Sequence, residues 1–258
     1  MKRQRSLRVV ARDESLLPRI QALKADHPFW GYRRMWAYRR FVEHLAVNKK
    51  RLLRLMREHH LLVTQNLKLK AKRKPRGTKP RPTKPREWWG IDMTKVLVQG
   101  FGWVYIVIVL DWYTKAIVGY NAGIRCTTQQ WLAALDMAVN QQFPDGVRGQ
   151  DLSLMSDNGC QPASLAFIQT CSTLGIRQTF TSYNNPKGNA DTERFMRTLK
   201  EECLWLQEWS CPFVLIRAIE EWVTNYNEHY LHSSLGYKTP RQFERDYYRS
   251  HSPPFVAA

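Results

Sequence analysis

Three carboxylates in this chain, Asp92, Asp157 and Glu193, stand where phosphoryl-transfer chemistry would want them. Asp92 interrupts an apolar, strand-like run from Trp88 to Thr94. Asp157 follows another, Leu152–Ser156, and Asn158-Gly159 turns the chain directly after it. Glu193 opens a helical stretch that runs to Lys200, and 35 residues separate it from Asp157. An acid within a strand is costly to bury unless its charge is compensated. Two in strands and one on a helix, in a chain of net charge +18, point to a shared site for hard divalent cations. Mg²⁺ favours a few carboxylates completed by water and phosphate oxygens. Two such ions about 3.5–4 Å apart would serve an in-line displacement at phosphorus.

The neighbours of the three acids fit the same chemistry. Lys200 follows Glu193 by two helical turns, on the same face, and can reach a phosphate at the site. Arg197, one turn after Glu193, can pair with it or touch phosphate. Taken singly, Glu193 reads as half of an exposed ion pair with Arg197, and Lys200 as an ordinary surface lysine; the joint pattern carries the other reading. Asp111, Asp136, Asp151 and Asp191 read as structural. Asp191 is the rival to Glu193, but two helical steps turn it through about 200°, so both cannot face one site.

The elements that must position these residues follow from periodicity. Trp88–Val98, Trp103–Leu110 and Lys115–Ala122 read as strands with short connections, an antiparallel meander. Thr127 can cap a helix running to about Phe143. Leu152–Ser156 is a fourth strand, Ser164–Leu174 a helix and Ile176–Phe180 a fifth strand. A polar loop, Ser182–Asn189, then leads to the Glu193 helix. The order β-β-β-α-β-α-β-α is that of an α/β, RNase H-like domain with a mixed five-stranded sheet. It makes the first and fourth strands neighbours, so that Asp92 and Asp157 can meet, and lets the last helix bring Glu193 across the sheet. Pro212–Tyr230 and Pro240–Tyr248 read as two further helices.

The charge is unevenly placed. Residues 1–87 hold 26 Lys and Arg against 6 acids, +20, whereas the remainder holds 14 against 16, −2. A polyanionic partner follows, with a membrane a poorer match because no lipid-type amphipathic helix accompanies the charge. Residues 12–60 read as short helices in which Arg33, Arg34, Arg39 and Arg40 interleave with aromatic residues, and Asn48 caps the helix from Lys49 to His59. This is a small helix-turn-helix-like unit with Arg33 and Arg34 placed for DNA. Ten of the 19 residues from Lys68 to Arg86 are Lys or Arg, four are Pro and none is acidic. Such a run should be an extended linker whose cations, Lys72, Arg73 and Lys74 among them, bind phosphate without reading sequence. Five cysteines with no C-x-x-C spacing give neither a disulfide framework nor a structural zinc site. No apolar run reaches the roughly 18–20 residues of a membrane span, and no apolar segment follows the basic start to make a signal peptide. A cytoplasmic, nucleoid-associated protein is expected. The divisions expected are 1–67 helical and DNA-binding, 68–86 linker, 87–206 catalytic core and 207–258 helical extension.

Here the sequence resembles a known family. Ser156-Asp157-Asn158-Gly159-Cys160-Gln161, the stretch Asn184–Phe195 that includes Lys187, and Lys200 resemble the DDE core of retroviral-integrase-type transposases. Tyr226-Asn227 and His232–Pro240 resemble that family's C-terminal signature. His27–Arg34 resembles the helical segment preceding the core in the second-reading-frame product of bacterial copy-and-paste insertion sequences. The departures, Met155, Cys160 and His229-Tyr230, touch none of the three acids. The resemblance implies Asp92, Asp157 and Glu193 as ligands of Mg²⁺, or of Mn²⁺ in its place. It implies cleavage at element ends and joining of the freed 3′-OH to target DNA by an oligomer on DNA. It further implies an upstream-frame product, fused or separate, that supplies end recognition; with no long heptad seam, this chain looks like the catalytic part. A DNA-binding regulator without catalysis, or an RNase H-like nuclease that only hydrolyses, are the other functions such a chain could have.

Overall fold

The structure is a computed structural model, and it describes residues 7–63, 80–181 and 189–251. These form two compact units. One comprises residues 1–71 with Leu231–Lys238, the other residues 72–230 with 239–258.

The first unit is helical: α1 (Leu7–Asp26), α2 (Tyr32–Ala37, continued by a wider turn, Tyr38–Val42) and α3 (Lys49–Glu58). Leu16, Ile20 and Leu23 of α1 pack with Trp30, Met35 and the Leu52-Leu55-Met56 stripe of α3. Asn48 caps α3, its Oδ1 accepting the Lys50 N–H at 2.8 Å. Asp13 joins α1 to α3 through Arg51 at 2.7 Å and Arg54 at 2.6 Å. The Arg-rich face is narrower than the sequence predicts. Arg39 is buried, bonded to Glu43 and to the Arg19 carbonyl, so it stabilises the unit and does not meet solvent. A short segment from the far end of the chain completes the unit. Its 3₁₀ turn, Ser233–Leu235, is closed by the His232 N–H on the Lys238 carbonyl at 3.1 Å.

The second unit is built on a mixed sheet in the order β3-β2-β1-β4-β5. Its strands are β1 (Trp88–Val98), β2 (Gly102–Asp111), β3 (Ile117–Gly123), β4 (Ser153–Ser156) and β5 (Arg177–Phe180). β1, β2 and β3 are antiparallel, whereas β4 and β5 join parallel to β1. β3 starts two residues later than its pattern predicts. The buried Asp111 carboxylate accepts the Tyr113 and Thr114 N–H groups and Lys115 adopts φ 62°, so the turn consumes the start of the strand.

Alternation along β2 feeds two cores. Val107 and Val109 meet Trp89 and Ile91 under α4 (Thr128–Gln142) and α5 (Leu165–Leu174). Ile106, Ile108 and Leu110 meet α6 (Ala190–Leu199) and α7 (Pro212–His229) on the other face. Thr127 and Gln130 form the capping box of α4. Gly119 is required where α4 crosses β3, because a Cβ there would lie 2.3 Å from the Ala134 carbonyl. α6 begins at Ala190, three residues before Glu193, and runs on into a wider turn, Lys200–Leu204. Helix α8 (Pro240–His251) closes the unit, setting Phe243 and Tyr247 against Tyr113.

Candidate active site

Asp92 lies in β1, the central strand, on the face it shares with Gly90 and Thr94. The flanking Ile91 points into the opposite core. β4 pairs with β1 so that Trp88 faces Ser153, Trp89 faces Leu154 and Gly90 faces Met155. That pairing ends at Gly90 and Met155, so Asp92 and Asp157 each lie two residues beyond the last β1–β4 pair. Asp157 is exposed just past β4, and its Oδ1 accepts the Gly159 N–H at 3.1 Å. Asn158 fastens this loop to the end of β5, donating to the Thr181 carbonyl at 2.6 Å.

Glu193 comes to the same face through a close approach of α6 to β1. Gly90 has no side chain, and the start of α6 fills the space. A Cβ at Gly90 would lie 2.0 Å from Thr192 Oγ1, 2.4 Å from Trp112 Nε1 and 2.9 Å from Asn189 Oδ1. Trp112 Nε1 donates to Thr192 Oγ1 at 2.9 Å inside this contact. Thr192 is thereby fixed on β1 two residues from Asp92, and Glu193 is the next residue of the helix. Gly90, Trp112 and Thr192 are the positioning residues that the sequence reading did not single out. Their one signal was a glycine inside an apolar strand, which marks a close backbone approach.

The charges of the other two acids both act on Asp92. Burial pushes the Asp92 carboxyl up to about 6, and the Asp157 and Glu193 charges push it the same way. The Met93 N–H, 2.8 Å from Asp92 Oδ1, and the Lys200 ammonium hold it down. Partial burial raises the Glu193 carboxyl as well, although much of that side chain meets solvent. A half-buried acid beside two like charges is a site whose charge is undercompensated. Among the described residues, no group of three or more His, Cys, Asp or Glu side chains is drawn together closely enough to hold a metal ion. Asp157 is turned toward Gly159 instead, and Asp92, Asp157 and Glu193 offer oxygen donors only. That donor set fits Mg²⁺, which keeps waters and takes substrate phosphate oxygens.

The other expected residues separate. The Lys200 ammonium lies near enough for its charge to act on Asp92. Arg197 does not pair with Glu193: its Nε lies 2.7 Å from Glu201, one turn further on. Asp191 pairs with Lys115 at 3.3 Å, away from the carboxylate group. Arg33, exposed, lies over the Tyr32 ring, and Arg34 over Trp30, at 5.6 and 5.8 Å. Lys72, Arg73, Lys74 and Lys187 lie outside the described residues. The C-terminal signature is structural here. Asn227 pairs with both the N–H and the carbonyl of Ile117 at 2.9 Å, as a strand neighbour would. Tyr237 packs in the helical unit against Trp36 and Phe41.

Comparison with known proteins gives the following. An integrase core domain model matches residues 82–186, a second integrase core domain model matches 174–240, and an HTH-like domain model matches 11–73. A transposase of Escherichia coli, InsD of the insertion elements IS2A/D/F/H/I/K, is 24% identical over 240 residues, covering 90% of this chain and 79% of the relative. InsD of the IS2 copy on the F plasmid of E. coli K12 matches to the same extent. Among solved structures, the simian T-cell lymphotropic virus intasome in complex with the PP2A regulatory subunit B56 gamma is similar, at 19% identity and a TM-score of 0.54. That similarity covers 92% of this chain and 76% of the other. The fold is therefore RNase H-like, with an HTH-like domain before it. Among the described residues, no helix is long and apolar enough to cross a membrane.

Proposed function

We propose, for a chain that is homologous to insertion-element transposases and carries an integrase core domain behind an HTH-like domain, that Asp92, Asp157 and Glu193 are the catalytic centre of a DNA strand transferase. It cleaves at the ends of a mobile element and joins the freed 3′-OH to target DNA. The observation that carries this reading is that Asp92, on the central strand, is acted on by the charges of Asp157, Glu193 and Lys200 together. The three acids would hold two Mg²⁺ ions, with Mn²⁺ as a substitute, supplying the charge stabilisation that phosphoryl transfer needs. The Gly90–Thr192 contact keeps Glu193 beside Asp92, and Lys200 holds a phosphate next to the acids.

Arg33, Arg34, Lys72, Arg73, Lys74 and Lys187 take the backbone elsewhere, with Arg197 offering its exposed side. In this reading residues 1–67 bind DNA, 68–86 link, 87–206 carry the chemistry and 207–258 extend the core. The chain works as an oligomer on nucleoid DNA in the cytoplasm, with an upstream-frame product reading the ends. The test is a branched DNA that mimics the strand-transfer product, incubated with Mg²⁺ or Mn²⁺. Wild type should resolve the branch by joining strands, and Glu193→Gln should leave it intact. Cut strands without joined ones would make the protein a nuclease; DNA binding with no product under either ion would make it a regulator.

A further inference from the structure

Beside the start of β1, away from the carboxylates, lies a groove of about 560 Å³ lined by Arg86, Arg241, Arg245, Arg249, Tyr248 and the buried Glu244, with Glu228 at its edge. The three α8 arginines recur at every fourth position and so share one face, each about 6 Å along the axis from the next. Two of the four guanidinium groups are neutralised. Arg241 reaches Glu228 at 3.5 Å and Glu244 at 3.4 Å. Arg86 reaches Glu244 at 3.9 Å and donates to Gln142 at 3.1 Å, its guanidinium near the Phe143 and Tyr248 rings. Arg245 and Arg249 are exposed and have no ion pair among the described residues. Four arginines against two glutamates leave the groove at +2. Arg86 is also the last residue of the run of ten cations between Lys68 and Arg86. The basic run therefore leads along the chain into the wall of the groove.

We infer that this groove is a second phosphate-binding surface, for the backbone of a nucleic acid. Unneutralised guanidinium groups one helical turn apart suit successive phosphates of a repeating polyanion, which they hold without reading bases. Continuity with an acid-free basic run favours an extended polyanion over a single anion or a short acidic peptide. That the nucleic acid is the strand-transfer substrate rests on the function proposed above; the surface itself does not. Four strand residues, about 13 Å, separate Trp88 from Asp92, so the arginines hold DNA and take no part in the chemistry.

The test uses the full chain and duplex DNA in EDTA, with binding followed by anisotropy across a salt series. The double variant Arg245→Gln/Arg249→Gln should bind roughly ten- to hundredfold more weakly, and its plot of log K against log salt should be shallower by about two, near 0.9 per phosphate lost. Arg217→Gln is the control, because Arg217 is exposed on α7 and paired with Glu221 at 3.6 Å; it should change neither. An unchanged slope in the double variant, an equal loss in the control, or no DNA binding by wild type would each overturn the proposal. Retained DNA binding with lost binding of a polyglutamate peptide would make the face a protein dock and overturn it too. Wild type that binds DNA with this slope but joins no strands would sink strand transfer and leave the groove standing.

Discussion

At the scale of single residues, the position of Asp92 works against the stability of the fold. Its carboxyl is raised to about 6 from 3.8, so folding favours the protonated form. The stabilisation that protonation gives is fully present below the unfolded value and is lost as pH rises through the folded one. In metal-free protein Asp92→Asn, which mimics the neutral form, should therefore raise stability above pH 6 by roughly 1–2 kcal/mol after solvent screening. The gain should shrink toward zero at pH 4. Melting curves in EDTA at pH 7.5 and pH 4 check this, and an Asn variant no more stable at pH 7.5 would refute it. Lys200→Ala should weaken DNA engagement roughly tenfold, the value of one charge-assisted bond, while Mn²⁺ titration remains as in wild type. A lost Mn²⁺ site would mean that Lys200 holds the carboxylates and not the phosphate. The three acids stand out in the sequence because of where they fall, at two strand-like runs and the start of a helix, and the proposal that they act together begins from that pattern. The partner of Arg197 was not, because acids stand four residues away on both sides, Glu193 and Glu201, and spacing alone favours neither. Arg39 was read as surface for a related reason: a buried arginine looks like an exposed one until its partners, Glu43 and the Arg19 carbonyl, are in place.

At the scale of elements, the β-α order foretold the sheet, in which β4 pairs with β1 up to two residues before Asp157 and Asp92. Periodicity gives which strands exist and which can be neighbours. It does not give how deeply a helix settles on a strand, since that depends on side chains far apart in sequence. The approach of α6 to β1 through Gly90, Trp112 and Thr192 is such a feature, and it fixes Glu193. Gly90→Ala must displace α6, because the added Cβ meets both Thr192 and Trp112 well inside contact distance. Overpacking of this kind costs roughly 1–3 kcal/mol. The expected signature is unequal damage: a folded protein with lowered melting temperature, DNA binding retained, and strand joining reduced at least as far as in Glu193→Gln. Trp112→Phe keeps the ring but removes the donor to the buried Thr192 Oγ1, and should lower joining less than Gly90→Ala. Circular dichroism with the joining assay separates these outcomes; full activity in Gly90→Ala would show that this contact does not set Glu193.

At the scale of the whole molecule, the chain returns on itself: Leu231–Lys238 belongs to the helical unit built by the first 71 residues. Nothing in a 3.6- or 2-residue period announces such a return, and only the resemblance marked this segment as notable. The anchor is Tyr237, whose ring meets Trp36 and Phe41 at 5.3 and 5.8 Å, with the Lys49 ammonium 4.8 Å from its centre and 3.1 Å from its hydroxyl. Its backbone is left-handed, φ 65°, a conformation that costs a residue with a side chain about 1–2 kcal/mol. The ring contacts must outweigh that strain for the turn to persist. Two substitutions separate the terms. Tyr237→Ala loses the ring and keeps the strain, whereas Tyr237→Gly loses the ring and relieves it. Stability of the helical unit should fall in the order wild type, Gly, Ala, with the two variants about 1 kcal/mol apart. Amide exchange reads this by region. Protection should drop in α2 and α3 and stay unchanged in β1 and α4, whose core has no part of this segment. Two variants as protected as wild type would show that the turn is held by its backbone and not by the ring, and an Ala variant at least as protected as Gly would show that the left-handed backbone carries no such strain.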